Sequence, residues 1–163
     1  MILLADIGAT NARFSVTTDC SQYEHYDNLQ VVGSSSLEKL CNDYLNRHKL
    51  VNKVNKAVIG VAAPIIDDEV SFVNANISFS IQGLKKQFFK EGLIVINDLA
   101  LQAHAIKGLQ KSELSLIGSN ERQVNGPKIL VSPGTGLGLA GITAQEIIST
   151  EAGHLNIPQK EIK

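Results

Sequence analysis

The chain has 163 residues, a formal net charge of −1, 44% hydrophobic and 19% charged residues. That composition excludes a disordered chain and suffices for one good core or two small lobes. The near-neutral balance gives no general attraction to nucleic acid or to an anionic membrane. No apolar run reaches the length of a membrane span, and the run 2–5 ahead of Asp6 is too short for a signal-peptide core. Cys20 and Cys41 form no C-x-x-C pair and stand near no His at metal-ligand spacing, which predicts two reduced thiols in a cytoplasmic protein.

Ile2 to Ala5 reads as a buried strand and Ala12 to Thr17 as a second, joined by a turn containing Asp6, Gly8, Ala9, Thr10 and Asn11. Such a turn can present backbone N–H groups and a hydroxyl to a phosphate, with Asp6 near its metal ion. On residue types alone an ordinary hairpin with a polar turn is the stronger reading. Thr18 to Gln22 is a turn, and Leu29 to Val32 a third short strand. Ser35 and Glu38 have capping-box spacing ahead of a helix whose apolar stripe is Leu37, Leu40, Cys41, Tyr44 and Leu45. Cys41 on that stripe predicts a core thiol, and His48 lies near the helix end, exposed or against its dipole.

Ala57 to Ala63 predicts a strand buried on both faces, stopped by Pro64. Asp67, Asp68 and Glu69 predict a solvent-facing turn. A short strand Val70 to Val73 leads to the loop Asn74-Ala75-Asn76. Ser80 then caps a helix turning Ile81, Leu84, Phe88 and Phe89 inward, with Lys85, Lys86 and Lys90 on its solvated face. Leu93 to Ile96 is another buried strand, ending at Asn97-Asp98, and a helix from Leu99 to Ile106 follows, with Gly108 placed to end it. Strands alternating with helices predict an α/β fold with a mixed sheet. Ligands in such sheets bind beyond the carboxyl ends of strands, where Asp6, Pro64 and Asn97-Asp98 fall. Gly108 to Pro127 is polar and turn-rich, a domain boundary that separates a lobe of residues 1–109 from 110–163. Lys128 to Val131 opens the second lobe, and Leu139 to Ile142 with Ile147 to Thr150 read as a hairpin.

Gly136-x-Gly138-x-x-Gly141 matches the dinucleotide fingerprint in letters only. That motif needs a helix after the glycines, and strands are predicted there. A phosphate-approach loop between strands fits better, against a plain Gly-rich hairpin. Asp98, taken by itself, is most simply a helix cap. Its functional alternative is a carboxylate that takes a proton from a substrate hydroxyl during phosphoryl transfer. Glu151 and His154 are spaced to hold adjacent sugar hydroxyls, although His154 alone reads as a polar chain end.

Taken together, Asp6-x-Gly8-x-Thr10-Asn11-Ala12-Arg13, Ile96-Asn97-Asp98, Gly134-Thr135-Gly136-Leu137-Gly138 and Glu151-x-Gly153-His154 resemble the bacterial glucokinase family. The order and spacing agree over essentially the whole chain. The resemblance implies a ribonuclease H-like lobe of the actin/hexokinase type, plus the first strands of a second lobe. It implies ATP-dependent phosphorylation of the glucose 6-hydroxyl with Mg²⁺. Asp98 would be the general base, with Asn74, Asn97, Glu151 and His154 on the sugar. Asp6, Gly8, Ala9, Thr10 and Asn11 would form the first phosphate loop, with Asp6 facing Mg²⁺ through water. Gly134, Thr135, Gly136 and Gly138 would form the second.

Several positions depart from the family pattern. Ala9 and Ala152 replace glycines, so each should keep ordinary backbone angles. Ile77 replaces a common tryptophan, which would loosen the sugar-side loop. Family members are roughly twice as long, and the remaining half carries the adenosine pocket. The resemblance therefore implies an amino-terminal part that associates with itself or with a carboxy-terminal half. The alternatives are a non-catalytic sugar-binding or assembly fragment, and another ATPase of the same fold. The Glu151–His154 pair argues against the latter.

Overall fold

The computed structural model describes residues 1–34, 36–72, 77–118, 126–133 and 137–150. Strand β1 (Ile2–Ile7) turns back into antiparallel β2 (Asn11–Thr17), which pairs with β3 (Glu24–Gln30). Helix α1 (Leu37–Arg47) leads to β4 (Lys56–Val61), which lies parallel to β1. Three short strands, β5 (Ile65–Ile66), β6 (Glu69–Ser71) and β7 (Ser78–Ser80), form a small antiparallel sheet. Helix α2 (Ile81–Gln87) precedes β8 (Gly92–Asn97), parallel to β4, and α3 (Asp98–Ile106) follows at once. The chain continues through β9 (Lys128–Pro133), β10 (Leu137–Ile142) and β11 (Ile147–Ser149), an antiparallel sheet ordered β11-β10-β9.

The main sheet is mixed, ordered β3-β2-β1-β4-β8, as the alternation of elements predicts. Its core follows the strand period of two. Leu3 and Ile7 of β1, Ala12, Phe14 and Val16 of β2, and Ile59 of β4 are all buried. They pack with the α1 stripe of Leu37, Leu40, Cys41, Tyr44 and Leu45. Cys41 is a core thiol, as its place on the stripe predicts, and Cys20 is exposed.

Several local expectations need correction. The third strand runs over Glu24–Gln30, earlier than 29–32. It is a polar edge strand carrying a bulge, with His25 in the left-handed region at φ 56° and two residues opposing Ser15. Such a strand shows no apolar alternation. Side chains of α1 hold it from one side: Tyr44 Oη donates to His25 O at 2.8 Å, and Arg47 Nη1 donates to Asp27 Oδ2 at 2.7 Å. His48, expected to be exposed or against the dipole, sits 3.3 Å from the same Asp27 oxygen. The cap of α1 is Ser36, whose hydroxyl accepts from Lys39 N at 3.2 Å, so the capping-box spacing of Ser35 with Glu38 is out of register by one.

Asp68, expected to face solvent, instead ties down the start of α2. Its carboxylate accepts from the Ser80 hydroxyl and from Gln82 N, and its carbonyl accepts from Ile81 N. Ser80 caps α2 as expected, accepting from Gly83 N at 2.9 Å. Gly108 lies just past α3, but its φ is not in the left-handed region that a glycine stop ordinarily uses.

The chain forms two compact units, Met1–Asp98 and Leu99–Lys163. The division falls at the β8–α3 junction, ahead of the 109/110 boundary read from composition, because α3 packs with the strands that follow it. Ala103 of α3 clusters with Ala140 and Ile142 of β10. No helix among the described residues is long and apolar enough to cross a membrane.

Candidate active site

In the first unit, β1, β4 and β8 are parallel, so their carboxyl ends lie at one edge of the sheet. The register aligns Asp6 with Gly60 and Gly60 with Ile96. The next row is Ile7, Val61 and Asn97. Asp6 thus stands two strand spacings, about 10 Å, from Ile96, the residue before Asn97-Asp98. Pro64 follows the end of β4 at the same edge. Three residue groups that are distant in sequence are gathered there by strand pairing.

The β1–β2 turn is held from three sides. Gly8 N donates to Asn11 O at 2.9 Å and closes the hairpin. Val31 N donates to Thr10 O at 2.9 Å, and Gln30 Nε2 to Asn11 Oδ1 at 2.9 Å. Ala62 N donates to Ile7 O at 3.0 Å, which joins the turn to the end of β4. Thr10 is exposed, and Gly8 and Ala9 are half-buried. Ala9 stays out of the left-handed region, as expected for an alanine at this position. The turn therefore has fixed backbone and an outward hydroxyl, which suits it to a phosphate.

Asp6 accepts from Arg13 Nη1 at 2.8 Å, and the two residues are cross-strand partners in the hairpin. Motif matching alone assigns Arg13 no role. The signal that could have found the pair is symmetry, since Asp6 and Arg13 are equidistant from the turn. Both side chains are about half exposed, so the pair contributes little to stability. It does give the Asp6 carboxylate a defined direction.

Asn97 ends β8 and Asp98 is the first residue of α3, both half-buried. A carboxylate at a helix N-terminus lies at the positive end of the helix dipole, which stabilises its charge. Asp98 is inside the helix rather than the residue before it.

Gly138 lies within β10, against α3. A Cβ there would lie 2.7 Å from Leu99 Cδ2. A glycine at this position is thus explained by packing, whatever else it does. Gly138 and Gly141 are both strand residues, which agrees with rejecting the dinucleotide fingerprint. Asn74, Gly134, Thr135, Gly136, Glu151, Ala152 and His154 lie outside the described residues. Ile77 is buried in the core, and Phe72 N donates to its carbonyl at 3.0 Å.

A mixed sheet with a carboxylate-bearing polar hairpin at one end and a helix-borne carboxylate two strands away defines a class. It is the actin/hexokinase-type ATPase fold, and solved structures agree. A glucokinase from an Antarctic psychrotroph superposes with a TM-score of 0.80 at 31% identity, over 98% of this chain and 52% of that one. A ROK family glucokinase from Streptomyces griseus, solved with glucose and AMPPNP, shares the fold with a TM-score of 0.63 at 19% identity, over 96% of this chain and 51% of that one. Among curated proteins, the glucokinase of Helicobacter pylori strain P12 is 34% identical over 161 residues, covering 94% of this chain and 48% of that protein. The Glucokinase family model matches residues 3–163, and the chain belongs to that family. It spans about half the length of the curated relatives it matches.

Proposed function

We propose that the chain contributes the catalytic carboxylate and the phosphate loops of an ATP-dependent glucose 6-kinase. The observation that carries this reading is the common edge at which β1, β4 and β8 end, with Asp6 and the Gly8–Asn11 turn at one place and Asn97-Asp98 at the other. Family membership supports the choice of sugar.

In this mechanism Asp98 accepts the proton of the glucose 6-hydroxyl. The oxygen attacks the γ-phosphorus of ATP as the bond to the ADP oxygen breaks, leaving glucose 6-phosphate and ADP. Asn74, Asn97, Glu151 and His154 hold the sugar hydroxyls, which sets the hydroxyl in line for attack. The backbone of Gly8 to Asn11, the Thr10 hydroxyl and Gly134 to Gly138 hold the phosphates. Asp6 is an oxygen donor of the kind Mg²⁺ takes, one or two carboxylates beside substrate phosphates, so the residue fits that ion. Bound Mg²⁺ would neutralise charge developing on the phosphoryl oxygens. With Arg13 on one carboxylate oxygen, Asp6 would meet the ion through water. The activity would serve glycolysis in the cytoplasm.

A second reading, a non-catalytic sugar-binding or assembly fragment, is favoured by the span of about half the relatives' length. The chain would then act only with another copy or with a carboxy-terminal half. The test is Mg-ATP-dependent phosphorylation of glucose by the purified chain, with Asp98→Asn alongside. Turnover that disappears in Asp98→Asn supports the kinase reading. Turnover that survives the change rejects Asp98 as base. Glucose binding without turnover in either protein supports the fragment.

A further inference from the structure

Gln30 ends strand β3, and Asn11, its register partner, begins β2. Their side chains meet: Gln30 Nε2 donates to Asn11 Oδ1 at 2.9 Å. The next residue, Val31, donates its N–H to Thr10 O at 2.9 Å, so one stretch of chain fixes both the backbone of the β1–β2 turn and a side chain beside it. Successive strand residues point to opposite faces of a sheet. Ala12 and Phe14 of β2 are buried on one face. Asn11 and Arg13 take the other, where Arg13 pairs with Asp6. The Asn11 amide therefore shares a face with the carboxylate of the proposed phosphate hairpin.

A primary amide has two unlike ends, an oxygen that accepts and an NH2 group that donates. A phosphate oxygen is an acceptor, so the NH2 end suits it and the oxygen end would repel it. Gln30 occupies Asn11 Oδ1, and among the described residues Asn11 Nδ2 makes no hydrogen bond. We propose that Gln30 is a positioning residue for phosphate binding, holding the Asn11 carboxamide with its NH2 group turned to a phosphate oxygen of the nucleotide. The proposal rests on reading the hairpin as a phosphate loop. Gln30 itself lies outside every motif that carries the family resemblance, and it reaches the turn only through the pairing of β3 with β2.

The probe is inorganic tripolyphosphate with Mg²⁺, titrated into the 163-residue chain while the side-chain amides are followed by nitrogen–proton NMR. Asn11→Asp identifies the Asn11 signal. Its carboxylate still accepts from Gln30 but has no donor for phosphate. Tripolyphosphate is expected to move the Asn11 NH2 signal in the unaltered chain. Gln30→Met, similar in length but without a donor, is expected to weaken binding roughly three- to tenfold, the scale of one net hydrogen bond, with the urea midpoint little changed. Asn11→Asp also binds more weakly, and adding Gln30→Met to it costs nothing further. Binding indifferent to Gln30→Met, or an Asn11 signal that tripolyphosphate leaves in place, overturns the positioning role and leaves the turn's backbone as the phosphate site. A urea midpoint that falls in step with affinity makes Gln30 a structural residue and overturns it as well. No binding by the unaltered chain overturns the phosphate-loop reading itself, and the positioning role with it.

Discussion

Gly138 and Leu99 meet with no room for a methyl group: a Cβ on Gly138 would lie 2.7 Å from Leu99 Cδ2 and 2.8 Å from Cδ1. Leu99 directly follows Asp98, so the contact ties strand β10 to the start of the helix that opens with the proposed base. Gly138→Ala is expected to lower the stability of the second unit by about 1–3 kcal/mol in urea unfolding, the usual cost of overpacking. Leucine methyls can move aside, which favours the lower end. Adding Leu99→Ala should produce a double variant that loses less than the sum of the two single losses. Strict additivity would contradict the contact.

The two cysteines should separate cleanly by reactivity. Cys20 is exposed, whereas burial, with a smaller contribution from Glu38, pushes the Cys41 thiol far up. The thiolate is the reactive form. A neutral thiol reagent is therefore expected to modify Cys20 in the native protein and Cys41 only after unfolding. Modification of Cys41 at native pH, read by mass spectrometry, would place it outside the core.

Tyr44 links the core to the polar edge strand. Its ring stacks on Phe14 at 5.0 Å, and its hydroxyl donates to His25 O. Tyr44→Phe keeps the stack and removes the hydrogen bond, an expected loss of about 0.5–1.5 kcal/mol. Burial, and then the negative charge of Asp27, push the phenol up to about 12 from an ordinary value of 10.0. The native state then holds a proton that the unfolded state gives up. Stability from this group is intact below pH 10 and declines as pH rises toward 12. An alkaline titration should show one late tyrosine, absent in Tyr44→Phe.

Asp68 sets an acid limit. The Ser80 hydroxyl and then the Gln82 amide hold its carboxyl below the ordinary value of 3.8. A depressed carboxylate contributes stability above its unfolded value, lost as pH falls through the lower folded value. Asp68→Asn should flatten the acid limb of stability below about pH 4, with little change at pH 7 in the slope against pH. An unchanged acid limb would show that the contacts with α2 carry no weight.

Ser36 and Asp68 show how local patterns can mislead. Ser35-x-x-Glu38 satisfies the capping-box spacing, yet the helix starts one residue later and takes Ser36. An acidic run after a proline reads as a solvated turn, yet Asp68 bonds residues twelve and fourteen positions on. In both cases the decision is made by how the segment is anchored in space, which spacing along the chain does not encode.

What the sequence determined by itself is whatever depends on neighbours along the chain. That includes the β1–β2 hairpin, the core stripe of α1, the Ser80 cap, and strands rather than a helix after Gly138, all set by periodicity and turn chemistry. It also carried the motif order that marks the family. Only the tertiary structure decided the rest: the pairing of Asp6 with Arg13, the polar edge strand held by Tyr44 and Arg47, the packing need for glycine at Gly138, and the exposure of Ile129 and Val131 on one sheet face. Those depend on register and on which surfaces meet, and both are properties of pairs of segments brought together by folding rather than of any one segment.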